Sequence, residues 1–367
     1  MRILVTGADG FIGKNLCLKL TENRHDIIKF NRSDSDDNLD QYIKDVDFIF
    51  HLAGENRPIS NESFELVNIG LTKKLASCLK KSNNRSTVIF SSSSQATASN
   101  PYGESKYEAE KVLQSLSNDN GNPLRIYRLP GIFGKWAKPN YNSVVATFCH
   151  NISRNQPITI SDPKKELELV YIDQVIESFL SCINDPSFNN EPFVKLDPYK
   201  ISLKNLADAI HSFKDSRLSH IIPDVGSGIM HALYATYLTH LPISDSAYSL
   251  KSSEDQRGIF AEVLKSKSAG QFSFFTTKPG MTRGGHYHHS KTEKFIILQG
   301  SALFKFKHTI TNEFFELNVG SDTLQVVDTI PGWVHDITNT GMNDLIVMLW
   351  ANEIFNKDLP DTIAHEI

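Results

Sequence analysis

The chain is poor in cysteine. Only Cys17, Cys78, Cys149 and Cys182 occur among 367 residues, and none forms a C-x-x-C pair. That argues against a disulfide scaffold and fits reduced thiols in a cytoplasmic setting. Long apolar runs are also missing. None reaches the roughly 20 residues that cross a bilayer, so no membrane partner is expected. The N-terminal RILVT runs straight into a glycine turn, without a longer apolar stretch or a cleavage pattern, and does not read as a signal peptide. Neither sign of charge dominates. With 38 Lys and Arg against 42 Asp and Glu, the net charge of −4 offers no basic field for nucleic acid and no polybasic tail. Low-complexity segments and internal repeats are absent too. What remains is an ordinary globular composition, long enough for two domains.

Two textures follow each other along the chain. Over residues 1–130, RILVTG, DIIKFNR, DFIFHLAG and TVIFSSSS read as strands. Between them, FIGKNLCLKLTEN, LTKKLASCLKKS and SKYEAEKVLQSL carry apolar residues three and four apart, as helices do. This alternation predicts an α/β Rossmann-type, doubly wound parallel sheet covered on both faces. Residues 140–245 are less regular. From 258 to 355, short β-branched and aromatic runs separated by turn signals predict an all-β sandwich or barrel. The boundary is placed between a first domain over 1–246 and a second over 247–367.

At the first strand–helix junction, Gly7, Gly10 and Gly13 form G-x-x-G-x-x-G. Gly7 suits the tight turn, Gly10 the approach of a pyrophosphate, and Gly13 close packing of helix on strand. The helix N-terminus adds free amides and partial positive charge. The second strand ends in FNRSDSDD, where an acidic residue would take the ribose 2′-hydroxyl of NAD. Asn31 and Arg32 stand first instead. A guanidinium pairs with a 2′-phosphate, which favours NADPH, while Asp34 and Asp36 nearby pull the other way.

Further on, in SSSSQATASNPYGESK, Tyr102 and Lys106 lie four apart and share a helix face. An ammonium beside a phenol is expected to lower its pKa and make it a working acid or base. An upstream serine can hydrogen-bond a substrate carbonyl.

The second texture contains GGHYHHSKTEKFIILQG, residues 284–300. His286 and His288 are two apart and face one way on a strand; Glu293 follows, and IPGWVHDITN later supplies His335. Three imidazoles and a carboxylate make a plausible set for a divalent transition metal. Zinc fits the donors, and the donors do not exclude nickel, iron or manganese.

Residues 1–240 resemble the extended short-chain dehydrogenase/reductase family that acts on nucleotide sugars. The likeness rests on the three glycines, the HLAG run His51–Gly54, the serines Ser91–Ser94, and Tyr102 with Lys106. It implies cofactor contacts from Phe11, Ile12, Leu52, Ala53 and Gly54 beside Gly7, Gly10, Gly13, Asn31, Arg32, Tyr102 and Lys106. It also implies catalysis by Tyr102, Lys106 and Ser93, with Ser92 second to Ser93, and a diphosphate contact from Asn142. Hydride would pass between nicotinamide C4 and a sugar carbon.

G-x5-H-x-H-x4-E-x6-G and P-G-x-x-H-x3-N resemble the two cupin motifs. They imply a small β-barrel with His286, His288, Glu293 and His335 pointing into one cavity. D-x-R-G-x-F-x-E, over Asp255–Glu262, resembles the entry strand of sugar-nucleotide 3,5-epimerases, where Arg257 would pair with the diphosphate. Domain order, with NPYGESK, KWAKPNYNSV and KPGMTRGGHYHHSKTEKF, makes the whole chain similar to bifunctional capsular-polysaccharide precursor enzymes. That resemblance implies a homodimer acting on a UDP-linked 4-keto-6-deoxy amino sugar. C3 epimerisation in the cupin would precede C4 reduction by NADPH. The epimerisation base stays open among Tyr287, His289, Lys291, Lys294, His308 and a group at the metal. Two other readings fit the same motifs: a 4-epimerase or 4-ketoreductase with a structural cupin, and a non-catalytic NADP-binding scaffold.

Overall fold

The structure, a computed structural model, describes residues 1–57, 60, 62–184 and 191–367. Packing divides the chain into two compact units. The first comprises Met1–Ile210 and Ala232–Leu241; the second comprises His211–His231 and Pro242–Ile367. The segment 211–231 joins the second unit by pairing: Lys265 N–H donates to the His220 carbonyl at 2.7 Å, and Ile222 N–H to the Lys265 carbonyl at 2.8 Å.

The first unit runs β1 (Arg2–Thr6), α1 (Phe11–Glu22), β2 (Asp26–Phe30), α2 (Asp36–Tyr42), β3 (Phe48–His51), α3 (Leu71–Ser82), β4 (Thr87–Ser93), α4 (Pro101–Asn120) and β5 (Leu124–Leu129). It continues through β6 (Gly131–Phe133), α5 (Val144–Ser153), β7 (Glu166–Tyr171), α6 (Ile172–Asn184), β8 (Phe193–Val194) and β9 (Tyr199–Ser202). Then come α7 (Leu203–Ser219), which crosses into the second unit, and α8 (Gly228–His240), which crosses back. The main sheet has the order β2-β1-β3-β4-β5-β8 and is parallel throughout. A smaller sheet, β6-β7-β9, was not anticipated from sequence.

Strand alternation builds two cores from one sheet. On β1, Leu4 joins a cluster with Ile49, Val88, Leu75 and Leu113, while Ile3 and Val5 join another with Phe48, Phe50, Leu16 and Phe179. Both faces are dry, as a parallel sheet between helices requires. Each fully buried Leu or Ile adds about 1.5–3 kcal/mol of transfer free energy. The chain reverses direction of filling at β1: β2 lies on one side and β3 on the other. That switch point opens a crevice at the carboxyl ends of the strands, where ligands of such sheets bind.

The second unit contributes β10 (Ser252–Asp255), β11 (Gly258–Ser266), β12 (Gly270–Thr277), β13 (Thr282–Tyr287), β14 (Glu293–Gln299), β15 (Ser301–His308), β16 (Phe314–Gly320), β17 (Val326–Asp328), β18 (Trp333–Asn339), β19 (Leu345–Ala351) and β20 (Ile363–Ala364). They form two antiparallel sheets, β10-β11-β12-β19-β14-β17 and β16-β15-β18-β13-β20. Their inner faces share one core that includes Phe275, Phe295, Val347, Phe304, Phe306 and Ile337. Among the described residues the two sheets do not join into the closed barrel that the motifs implied. Alternating burial is the same in both architectures, so sequence texture could not separate them.

Cys17, Cys78 and Cys149 are buried and Cys182 is half-buried; all four are free thiols. No described helix is long and apolar enough to cross a membrane.

Candidate active site and metal centre

In the first unit, the loops after β1, β2 and β3 converge on the crevice. Gly7 sits at φ +69°, and its N–H donates to the Phe30 carbonyl at 2.8 Å. A side chain there would stand 2.8 Å from the backbone of Ala53, so the turn admits only glycine. Gly10 N–H closes the turn on the Gly7 carbonyl at 2.9 Å. At Gly13, a methyl would fall 2.2 Å from the Gly7 carbonyl oxygen. No side chain caps the first turn of α1, whose amides therefore face the crevice unmasked. Phe11, Ile12 and Leu52 pack onto the core below. Asn31 Oδ1 accepts from Asp9 N–H at 3.1 Å, tying the end of β2 to the glycine loop. Arg32 is exposed and pairs with Glu55 at 2.6 Å.

The Tyr–Lys pair singled out in the sequence lies on the rim of the same sheet. Asn100 caps α4 by accepting from Gly103 N–H at 2.9 Å, and Pro101 opens the helix, which presents Tyr102 and Lys106. Ser93, at the end of β4, lies close enough to the Tyr102 phenol to act on it electrostatically, and its hydroxyl accepts from Gln95 N–H at 3.1 Å. Ser92 is turned away: its hydroxyl donates to buried Glu110 at 2.5 Å, which also takes Arg128 Nη2 at 2.6 Å. Burial pushes the Tyr102 phenol up, and Ser93 partly offsets this. The expected lowering by Lys106 is not what the structure shows. Lys106 is buried, donates to the Ser91 carbonyl at 3.0 Å, and is itself pushed down to about 8 by desolvation. Gly54 makes room for it, since a methyl there would lie 2.9 Å from Lys106 Nζ. His51 is buried between Thr6 (2.8 Å) and Thr72 (2.9 Å), and burial lowers its pKa to about 3, so it is neutral. Asn142 is exposed, just before Ser143, the N-cap of α5.

Asn68 escaped the sequence reading. Buried in a π-helical turn, Phe64–Gly70, it accepts from Glu55 N–H (2.8 Å), donates back to the Glu55 carbonyl (3.0 Å) and reaches Ser105 of α4 (2.9 Å). It joins the loop after β3 to α4. A lone Asn carries no pattern in sequence.

In the second unit, His286, His288, Glu293 and His335 do converge. One donor atom from each lies within 4.8 Å of all the others. Cross-strand pairing explains this: His286 on β13 faces His335 on β18, after a register shift at Gly285. His288 lies beyond the end of β13, with its ring 5.0 Å from that of His286. Glu293 Oε2 stands 3.3 Å from His288 Nε2 and 3.5 Å from His335 Nε2. Both ring nitrogens of His335 are buried without a hydrogen-bond partner. An orphaned imidazole beside a carboxylate and two more imidazoles is what a divalent-metal donor set leaves when hydrogen bonds alone are counted. The residues therefore fit a metal.

Burial, then neighbouring His335, pushes His286 down to about 4. Burial alone would raise Glu293; His288, His335 and Lys291 instead hold it far below the usual carboxylate range. Lys291 Nζ is 2.7 Å from Glu293 Oε1, whereas His289 is exposed. Asp361, near the C-terminal end, was not singled out from sequence. Its carboxylate accepts from the amides of His289 (2.8 Å), Ser290 (2.7 Å) and Lys291 (2.8 Å), and its carbonyl meets His288 Nδ1. It lies 73 residues from His288, beyond any local motif.

His286, Glu293 and His335 line a cavity of about 240 Å³ together with Arg257 and Arg283. Arg257 pairs with Asp255 at 2.6 Å. Arg283 Nη2 is buried without a hydrogen bond, 3.8 Å from Asp255 Oδ1.

The profile of the NAD dependent epimerase/dehydratase family matches residues 3–194, more than half of the chain. The chain belongs to that family. A second profile, the polysaccharide biosynthesis C-terminal domain, matches residues 253–363. The chain is 48% identical over 366 residues to UDP-2-acetamido-2,6-beta-L-arabino-hexul-4-ose reductase of Pseudomonas aeruginosa, covering 99% of this chain and 98% of that one. The crystal structure of the capsular polysaccharide assembling protein CapF of Staphylococcus aureus superposes with a TM-score of 0.93 at 40% identity, with 100% of both chains covered. UDP-glucuronic acid 4-epimerase of Bacillus cereus, solved with NAD, matches 65% of this chain and 98% of its own at TM-score 0.55. At 18% identity that likeness shows the fold alone. Membership of the epimerase/dehydratase family implies a nicotinamide dinucleotide, and the crevice above the glycine loop is where one would lie.

Proposed function

We propose that the chain carries two activities on one nucleotide sugar. The second unit, read as a cupin, epimerises C3 of a UDP-2-acetamido-2,6-dideoxy-4-hexulose. The reductase domain, taken as residues 1–246 ahead of a cupin domain over 247–367, reduces the C4 ketone with NADPH to UDP-2-acetamido-2,6-dideoxy-L-talose, for capsule or O-antigen synthesis through UDP-N-acetyl-L-fucosamine. The reading takes the enzyme to be a cytoplasmic homodimer. The Pseudomonas relative supports it, since its name is that of a UDP-linked 4-ketosugar reductase.

Reduction rests on the residues at the rim of the parallel sheet. The open amides of α1 hold the pyrophosphate, and Arg32 takes the 2′-phosphate. Bound NADPH supplies the hydride. Tyr102 donates its hydroxyl proton to the C4 oxygen, and Ser93 hydrogen-bonds the same oxygen. A high phenol pKa suits a group that must be protonated before it donates. Lys106, fixed on Ser91, leaves a positive charge beneath the site. Asn142 contacts the diphosphate.

Epimerisation exploits the acidity of a C–H next to a ketone, whose conjugate base spreads charge onto oxygen. In the second unit Arg257 would hold the sugar diphosphate and Arg283 would face the cavity as a second cation. A divalent ion, zinc by its donors, would be held by His286, His288, Glu293 and His335 and would supply Lewis acidity. Among the candidate bases, His289 is exposed and Lys291 is engaged by Glu293.

The observation that carries the reading is that α4 presents Tyr102 and buried Lys106 at the end of β4, where Lys106 is anchored to the Ser91 carbonyl and Ser93 acts electrostatically on the Tyr102 phenol. The test is turnover of NADPH with the 4-keto substrate. Tyr102→Phe should lose about 100-fold or more in rate while still binding NADPH by fluorescence titration. Undiminished turnover would remove Tyr102 as the proton donor.

A further inference from the structure

Arg32, the group read above as the 2′-phosphate partner, is already engaged. Its Nη2 donates to Glu55 Oε2 at 2.6 Å. The two residues differ in environment. The Arg32 side chain is 82% exposed, that of Glu55 only 15%. Arg32 reaches in from solvent, whereas Glu55 is held from within the fold. The Glu55 backbone is clamped on both sides by Asn68, at 2.8 and 3.0 Å, and Asn68 is anchored to Ser105 of α4. Its carboxylate also has Tyr141 Oη at 3.4 Å from Oε1. A carboxylate on an anchored backbone thus stands in the loop after β3, paired with the residue that follows the end of β2, where the adenine ribose of a dinucleotide lies.

Its effect on the two nicotinamide dinucleotides differs by sign of charge. A 2′-phosphate reaching Arg32 must compete with Glu55 and stay near an unneutralised carboxylate, so part of the guanidinium's attraction is cancelled. A ribose 2′-hydroxyl carries no charge and can donate to the same carboxylate. We infer that Glu55 is a specificity-determining residue which, by holding Arg32, limits the preference of this site for NADP(H) over NAD(H). The inference rests on the reading of Arg32 as the phosphate partner.

Calorimetric titration of the full chain with NADP⁺ and NAD⁺ separates the two. Glu55→Gln keeps the size of the side chain and removes its charge. The NADP⁺ dissociation constant should fall about fivefold or more, with that for NAD⁺ unchanged or raised. In an Arg32→Ala background the same substitution should no longer tighten NADP⁺, because the coupling needs both partners. If Glu55→Gln leaves NADP⁺ affinity unaltered, tightens both dinucleotides alike, or acts equally without Arg32, the inference is overturned. If Arg32→Ala alone changes neither affinity, the phosphate role of Arg32 falls, and the inference falls with it.

Discussion

The Lys106 ammonium donates to the Ser91 carbonyl at 3.0 Å, in the space left by the missing side chain of Gly54. A buried cation is thus held by backbone, at the end of the strand that also carries Ser93.

This arrangement has a signature in pH. Desolvation lowers the folded pKa of Lys106 from 10.5 to about 8. The unfolded chain therefore binds the extra proton between about pH 8 and 10.5, and stability contributed by this group rises across that window. Below it, burying the charge costs on the order of 3 kcal/mol. Lys106→Met should melt higher than the parent at pH 7, and the gap should shrink by pH 10. A gap that is constant with pH would show that Lys106 is not desolvated as described.

The glycine loop makes a steric prediction. A methyl on residue 13 meets the Gly7 oxygen at 2.2 Å and Ala8 Cα at 2.7 Å, both backbone atoms of the phosphate loop. Gly13→Ala should cost about 1–3 kcal/mol of stability and weaken dinucleotide binding about tenfold or more. Gly226→Ala, whose added methyl meets nothing within 4 Å, is the control for both melting and titration.

Asp361 makes a prediction about metal affinity. Its carboxylate closes the turn at His289–Lys291, and its carbonyl faces His288 Nδ1, leaving Nε2 toward Glu293. Such outer partners orient metal-binding imidazoles. Asp361→Ala should bind a divalent ion about 10–100-fold more weakly in competition with a chromophoric chelator. His288→Ala should lose it altogether. Equal affinity in Asp361→Ala and parent would mean that the tail does not position the ring.

Much of this was legible in the chain because it is local. Strand–glycine–helix alternation reports a parallel sheet, and Gly7, Gly10 and Gly13 fall where their missing side chains are needed. Tyr102 and Lys106 share a helix because four residues make a turn. Their electrostatic relation was not legible. Spacing says that two side chains share a face, not that burial and Ser91 govern one of them. The Arg32–Glu55 pair joins two strand ends that are neighbours only once β1 lies between β2 and β3. Asp361 reaches His288 through the pairing of β13 with β20, a contact that no motif marks. The assignment of 211–231 to the second unit depends on Lys265, an unremarkable strand residue.

The central claim is that the second unit moves a proton next to the ketone before the first unit delivers hydride. Incubating the UDP-linked 4-keto sugar with the protein in deuterated water, without NADPH, tests it directly by mass spectrometry and proton NMR. The account predicts deuterium at C3, formed with Tyr102→Phe as with the parent and lost with His288→Ala. Absence of label at C3 in the parent, with NADPH-dependent reduction intact, would contradict it.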